Sequence, residues 1–353
     1  MSQVFTIAEI IAQARRQRAS DIHIVCGIPI RIRIDGKLVD LDENVMTAQD
    51  CEAYAQELTH HYDDIRLIGE QDLALGMPDG TRVRVNLFRQ QGYVSAAIRI
   101  LNDHIPTFEE SGLPPQVAAF TEFNQGIVLI TGETGSGKST TLATLLDQIN
   151  HTQTKHIITL EDPIEYIYTP DRCIINQREI GQDTRSFSDG LNSILREDPD
   201  VILIGEMRNL STIETALMAA ETGHLVFATL HTNSAADTIG RIVDVFPADQ
   251  QPQIRMQLSM CLKAVVCQQL LPHMSGRGRV KATEVMIVNP AIRNLIREGK
   301  TPQIVNAIAT SGSDGNHLMD SSLIALYRQR KITSEVAVQA AHDRDYVMRS
   351  TIF

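Results

Sequence analysis

No apolar stretch in this 353-residue chain approaches the ~20 residues that cross a bilayer. Its opening residues lack the basic-then-apolar layout of a signal peptide, so a cytoplasmic protein is expected. The five cysteines (Cys26, Cys51, Cys173, Cys261 and Cys267) contain no C-x-x-C pair. An odd, scattered set argues against a disulfide framework or a zinc knuckle and predicts reduced, buried thiols. There is no basic surplus: 43 acidic residues face 32 basic ones, for a net charge of -11. That balance argues against a broad nucleic-acid surface, and no basic, aromatic-rich tract of the kind that holds single strands is present. A local basic channel stays open. No internal repeat with a period of about 20 to 50 residues stands out. The remaining composition, 43% hydrophobic and 21% charged, is that of a globular protein with room for two or three domains.

What is present centres on Gly132-Glu133-Thr134-Gly135-Ser136-Gly137-Lys138-Ser139, which fits G-x-x-x-x-G-K-[ST] at every fixed position. The apolar run 126–131 before it reads as a buried strand. The stretch from Thr140 onward reads as a helix with an apolar stripe. Glycines let backbone N–H groups turn inward around phosphates, and the helix N-terminus adds partial positive charge. Lys138 is placed to reach the β- and γ-phosphates of ATP, and Ser139 to hold Mg2+. The cradle runs from Gly132 to Thr140.

A second strand signal, Val201-Ile202-Leu203-Ile204, ends in Gly205-Glu206 in the manner of a Walker B element. A carboxylate at the C-terminal edge of an α/β sheet can orient and deprotonate an attacking water, which makes Glu206 the candidate general base. Glu161, Asp162 and Glu165 follow another apolar strand and are candidates for supporting the water shell of magnesium. His224 and His231 bracket a strand; seven residues apart, they point to opposite faces and lie ~23 Å from each other, which excludes a shared metal. His231, at the C-terminal end, is the candidate γ-phosphate sensor, although a lone strand histidine is more often structural. Arg82 and Arg84 share a strand face, and they join Arg99, Arg196, Arg208 and Arg241 as candidates for neutralising charge at the phosphate.

Residues 1–103 read as an α+β domain: Thr6 to Glu9 fits a capping box opening an amphipathic helix. Alternating strands follow at 21–25, 31–34, 37–39, 81–88 and 93–101, with turns at Asp35-Gly36 and Asp79-Gly80 and a helix over 48–62. Residues 104–118, rich in proline, read as a linker. Residues 119–289 alternate strands (126–131, 156–161, 201–205, 224–230) with helices, which implies a mostly parallel sheet covered on both faces. Residues 290–353 read as helical, with Asn289 as N-cap, Pro290 at the first position and Gly299 as the stop.

Together these boxes resemble the secretion ATPase superfamily, which powers type II secretion and type IV pili. The resemblance covers nearly the whole chain. It rests on Glu161-Asp162-Pro163-Ile164-Glu165-Tyr166, on Arg196 through Asp200 leading to Gly205-Glu206-Met207-Arg208, and on Thr222-Gly223-His224 through Thr229-Leu230-His231-Thr232. Ala19-Ser20-Asp21-Ile22-His23 matches the N-terminal signature. Within the superfamily, Ala291-Ile292-Arg293-Asn294-Leu295-Ile296-Arg297-Glu298 resembles the motif of the pilus-retraction branch, and no tetracysteine element is present. The departure is Glu133, where many relatives have proline.

The resemblance implies an α/β RecA-like P-loop ATPase core behind an N-terminal PAS-like domain, followed by a helical C-terminal region. It implies a homohexamer using ATP and Mg2+, with Arg82, Arg84 or Arg99 approaching the phosphates. The implied partners are the inner-membrane pilus platform protein, through which the ring associates peripherally with the membrane, and a paralogous retraction ATPase. Hydrolysis is then expected to change the angle between the two domains. The rival readings are an extension or secretion ATPase, a regulatory accessory ATPase, and a nucleic-acid translocase on the same core.

Overall fold

The computed structural model describes residues 5–34, 36–59, 62–101 and 104–351. The chain divides into two compact units, one of residues up to 104 together with 163–167, the other of 105–162 with 168–353.

The first unit opens with α1 (Ile7–Arg16). Its capping box is closed: the Thr6 hydroxyl accepts from the Glu9 N–H, and Glu9 Oε2 accepts from the Thr6 N–H at 2.8 Å. Strands β1 (Asp21–Ile24), β2 (Pro29–Ile34) and β3 (Lys37–Val45) come next, then helices α2 (Ala48–Leu58) and α3 (Tyr62–Ile68). Strands β4 (Glu70–Gly76), β5 (Arg82–Gln90) and β6 (Tyr93–Ile100) complete the unit. All six form one antiparallel sheet in the order β3-β2-β1-β6-β5-β4. Period-two alternation sends Ile22, Ile24, Ile30, Ile32, Val83, Val85, Leu87 and Ile98 into a core shared with Ile10, Ile11, Tyr54 and Leu58 of the helices. The helix expected over 48–62 ends at Leu58, because Thr59 turns extended (φ -140°, ψ 141°), and α3 is a separate helix. Asp35 of the first expected turn lies outside the described residues. The second turn forms as expected: Gly80 takes φ 85°, and Asp79 Oδ1 accepts from the Thr81 N–H at 2.9 Å.

The second unit begins with a 3-10 segment, Pro115–Glu122, whose Val117 and Phe120 are buried. Strand and helix then alternate: β7 (Gly126–Thr131), α4 (Lys138–Thr152), β8 (His156–Glu161), β9 (Ile174–Glu179), α5 (Phe187–Ile194) and β10 (Val201–Ile204). They continue as α6 (Leu210–Glu221), β11 (Leu225–Leu230), α7 (Ala235–Asp244), α8 (Gln251–Cys261), β12 (Leu262–Pro272) and β13 (Arg279–Ile287). The seven-stranded sheet runs β13-β12-β7-β11-β10-β8-β9, parallel except for β13. β7, β10 and β11 are buried at every position, as strands covered on both faces must be. Helices α9 (Pro290–Arg297), α10 (Ile304–Thr310), α11 (Met319–Arg328), α12 (Ser334–Ala340) and α13 (Arg344–Thr351) close the chain. Met319, Leu323 and Ile324 of α11 pack with Leu271, Ala282, Ala337 and Val347 in a smaller core beside the β12–β13 pair. All five thiols are unpaired, and all but the half-buried Cys26 are buried.

Candidate active site

The parallel register sets the site. Thr131 of β7 pairs with Leu230 of β11, Ala228 of β11 with Ile204 of β10, and Ile204 with Leu160 of β8. The C-terminal ends of β7, β11, β10 and β8 therefore lie side by side. The residues leaving those ends are the phosphate loop, His231, Gly205-Glu206 and Glu161. An open parallel sheet collects ligand groups along this edge.

The loop leaves β7 at Gly132, whose φ is 139°. A β-carbon built there would stand 2.3 Å from the Gln268 carbonyl oxygen, so this position excludes every side chain. The Ser136 N–H closes the turn onto the Glu133 carbonyl at 3.1 Å, and α4 starts from Gly137 with the Thr141 N–H on the Gly137 carbonyl at 3.0 Å. Glu133, Thr134 and Gly135 are exposed at the rim, while Gly137, Lys138, Ser139 and Thr140 are half-buried at the helix start. Lys138 Nζ lies across the loop, donating to the carbonyls of Gly132 (2.8 Å) and Glu133 (3.0 Å). The Ser136 hydroxyl is buried with no protein partner among the described residues, an unspent donor in the cradle.

Next to the loop, His231 links two charges. Its Nδ1 lies 3.5 Å from Lys138 Nζ and its Nε2 3.2 Å from Glu206 Oε1. An ammonium only donates, so Nδ1 is the acceptor and the imidazole proton sits on Nε2, pointing at the carboxylate. The other Glu206 oxygen takes an Arg208 N–H at 2.8 Å. A chain Lys138–His231–Glu206–Arg208 thus crosses the sheet edge, and the Glu206 side chain is only 19% exposed within it. It borders a cleft of about 460 Å³ that Arg241, Leu230 and Val245 also line. His224, at the other end of β11, instead places Nδ1 3.0 Å from the Ala219 carbonyl, a local helix-end contact. Glu161 ends β8 half-buried and accepts from Thr159 Oγ1 (2.7 Å) and Gln177 Nε2 (3.3 Å). Asp162 follows it exposed. Glu165 is exposed and groups with the first unit.

The three N-terminal arginines sit on the first unit's sheet. Arg84 stands opposite Arg99 across β5–β6, Arg99 opposite Asp21 across β1–β6, and Asp21 opposite Arg33 across β1–β2. One sheet face therefore carries a cross-strand row Arg33–Asp21–Arg99–Arg84 with a surplus of positive charge. Asp21 accepts from Arg99 Nε at 2.9 Å, Arg33 Nε stands 3.7 Å away, and Arg84 Nε lies 3.9 Å from Asp72. Burial would push the Asp21 carboxyl up, but hydrogen bonds from Ser20 and Arg99 outweigh it and hold the carboxyl below its ordinary value. Arg82 lies two residues from Arg84 on the same strand face and is half-buried. Asp21 was legible only as part of a signature, because the row forms across strands.

Sequence reasoning passed over Gln268 altogether. It lies fully buried in β12 and donates from Nε2 to the Ser136 carbonyl of the loop at 2.8 Å. The signal was there: Gln268-Gln269 interrupts an otherwise apolar run, and a buried amide needs a specific partner.

Comparison with known proteins places this geometry. Residues 3–348 match the family model "Type II/IV secretion system protein". The chain is 44% identical over 337 residues to the type IV pilus retraction ATPase PilT of Pseudomonas aeruginosa, covering 95% of this chain and 98% of that one. It is 44% identical over 324 residues to a twitching motility protein of Neisseria gonorrhoeae, covering 91% and 86%. A crystal structure of the pilus retraction motor PilT with bound ADP superposes with a TM-score of 0.91 at 46% identity, covering 98% of this chain and 99% of that chain.

Proposed function

We propose, from the premise that the chain belongs to the Type II/IV secretion system protein family and is one of its P-loop ATPases, that it works as a magnesium-dependent homohexameric motor retracting a type IV pilus. The observation that carries this reading is the likeness to PilT over nearly the whole of both chains, supported by the Ala291–Glu298 segment, which lies in α9 and its C-cap.

The loop amides from Gly132 to Thr140 and Lys138 bind the phosphates, and Lys138 exchanges its carbonyl contacts for phosphate oxygens. Glu206 orients the attacking water and takes its proton. His231 senses the γ-phosphate through Lys138, whose ammonium its Nδ1 faces, and reports to Glu206 through its Nε2–H. Glu161, Asp162 and Glu165 hold surrounding water, and one of Arg82, Arg84 and Arg99 neutralises charge developing on the phosphate. The donor set fits magnesium. Among the described residues no cluster of three or more acidic, histidine or cysteine side chains forms a protein cage, and magnesium prefers one or two protein oxygens, waters and phosphate. Ser139 would hold it, and the ion would supply charge neutralisation between the phosphates. On this reading the motor works in the cytoplasm, at the inner face of the inner membrane. Its partners are the pilus platform protein and a paralogous retraction ATPase.

A clean deletion and a Glu206→Gln strain test the reading by twitching and by surface pilus count. Retraction predicts lost twitching with retained or excess pili in both. Loss of pili on deletion would assign extension instead. Negligible turnover by the purified wild-type ring would leave only a regulatory role.

A further inference from the structure

A line of buried and half-buried donors runs behind the phosphate loop. Lys281 of β13 directs Nζ onto Thr141 Oγ1 at 2.8 Å, Thr141 Oγ1 donates to Gln268 Oε1 at 2.9 Å, and Gln268 Nε2 donates to the Ser136 carbonyl at 2.8 Å. Thr141 and Gln268 are fully buried. Among the described residues Lys281 has no carboxylate within ion-pair distance, and burial alone pulls its amine down to about 8. The direction of the line is forced. A protonated amine can only donate, so it occupies a lone pair of the Thr141 hydroxyl and turns that single proton toward Gln268. The Gln268 oxygen then faces Thr141, which leaves its NH2 facing the loop.

We propose that Gln268, Thr141 and Lys281 are positioning residues that brace the phosphate loop from the β12–β13 side. Holding the Ser136 carbonyl outward keeps the intervening N–H groups turned to the phosphate side. The same brace crowds one of the loop's glycines: a β-carbon on Gly137 would stand 3.3 Å from Gln268 Nε2. Lys281 also sets an uncompensated positive charge behind the start of α4, where it adds to the helix dipole in attracting an anion.

This rests on the loop being the nucleotide site, and ADP binding separates the two claims. The measurement is titration of fluorescent ADP into the purified full chain, alongside thermal melting without nucleotide. For Gln268→Met, which leaves the Ser136 carbonyl unsatisfied, the expected rise in Kd is about tenfold. Thr141→Val should match it, and Thr141→Ser, which keeps the hydroxyl, should retain wild-type affinity. Lys281→Met removes an unpaired, partly buried charge, so its Tm should hold or rise while its ADP Kd increases several-fold. A lysine that merely supports the fold would lower Tm and leave Kd alone. The double variant Lys281→Met with Gln268→Met should weaken binding by less than the product of the single effects, as members of one relay do. ADP affinity within twofold of wild type in both Lys281→Met and Gln268→Met would overturn the brace while leaving the nucleotide site intact. A wild-type chain that fails to bind ADP would overturn both.

Discussion

At the residue scale the site depends on a few atoms whose neighbours dictate their identity. Gly132 and Gly135 both have positive φ, but only Gly132 is also hemmed in: a β-carbon meets the Gln268 carbonyl at 2.3 Å there and nothing within 4 Å at Gly135. Gly132→Ala should therefore abolish ADP binding, whereas Gly135→Ala should cost only the left-handed backbone penalty of about 1–2 kcal/mol. Isothermal titration of both variants reads the difference. Glu206→Gln keeps an acceptor for the His231 N–H but cannot take a proton from water. Its kcat should fall by about 10²–10⁴-fold with ADP affinity near wild type, as phosphate-release kinetics would record. Lys138, Ser139 and Glu206 were legible in the sequence because each sits at a fixed offset from an apolar strand. The wiring between them was not, since Lys138–His231 and His231–Glu206 contacts join residues far apart in the chain.

At the element scale, α9 separates an apolar packing face from an exposed basic one. Ile292 and Ile296 are fully buried, while Arg293 and Arg297 lie on the outer part of the helix. Asn289 caps its N-terminus by accepting from the Ile292 N–H at 2.9 Å, and Gly299 (φ 69°) ends it. Ile292→Ala should cost about 2–5 kcal/mol and lower Tm. Arg293→Ala with Arg297→Ala should leave Tm and ATP turnover close to wild type and abolish twitching, if this segment couples the motor to its load. The arginine row of the first sheet carries a pH signature. The Asp21 carboxyl is held below its ordinary 3.8 in the fold. Its stabilisation is therefore full above that value and is lost as pH falls through the lower folded pKa. The Tm gap between wild type and Asp21→Asn should be constant from neutral pH down to the unfolded pKa and close below it. The helices α1, α2, α4 and α9, the hairpins and the strands β7, β8, β10 and β11 were readable from caps, turn dipeptides and apolar period, whereas β9 and β12 were not expected. β4 was not, since Glu70, Gln71 and Asp72 hide the alternation of a half-exposed edge strand. β13 was hidden by Lys281 and Glu284, charges that sequence patterning assigns to the surface; this fold buries Glu284 and half-buries Lys281.

At the scale of the whole molecule, the parallel sheet does the gathering. Buried strands in register bring the loop, His231, Glu206 and Glu161 to one edge without any local sequence linking them. That is why apolar runs read as parallel strands are enough to predict these residues at one edge. The arginine row belongs to a unit with its own core. An assembly that fires in sequence is sensitive to a dead member in a way that independent subunits are not. When wild-type and Glu206→Gln chains are mixed in equal amounts, unfolded and reassembled, independent sites would give half the wild-type turnover. A ring whose subunits wait on one another should fall well below half, because most rings then contain at least one subunit that holds ATP without cleaving it. Turnover that tracks the wild-type fraction linearly would show that each chain hydrolyses on its own and would remove the coordinated ring from the proposed motor.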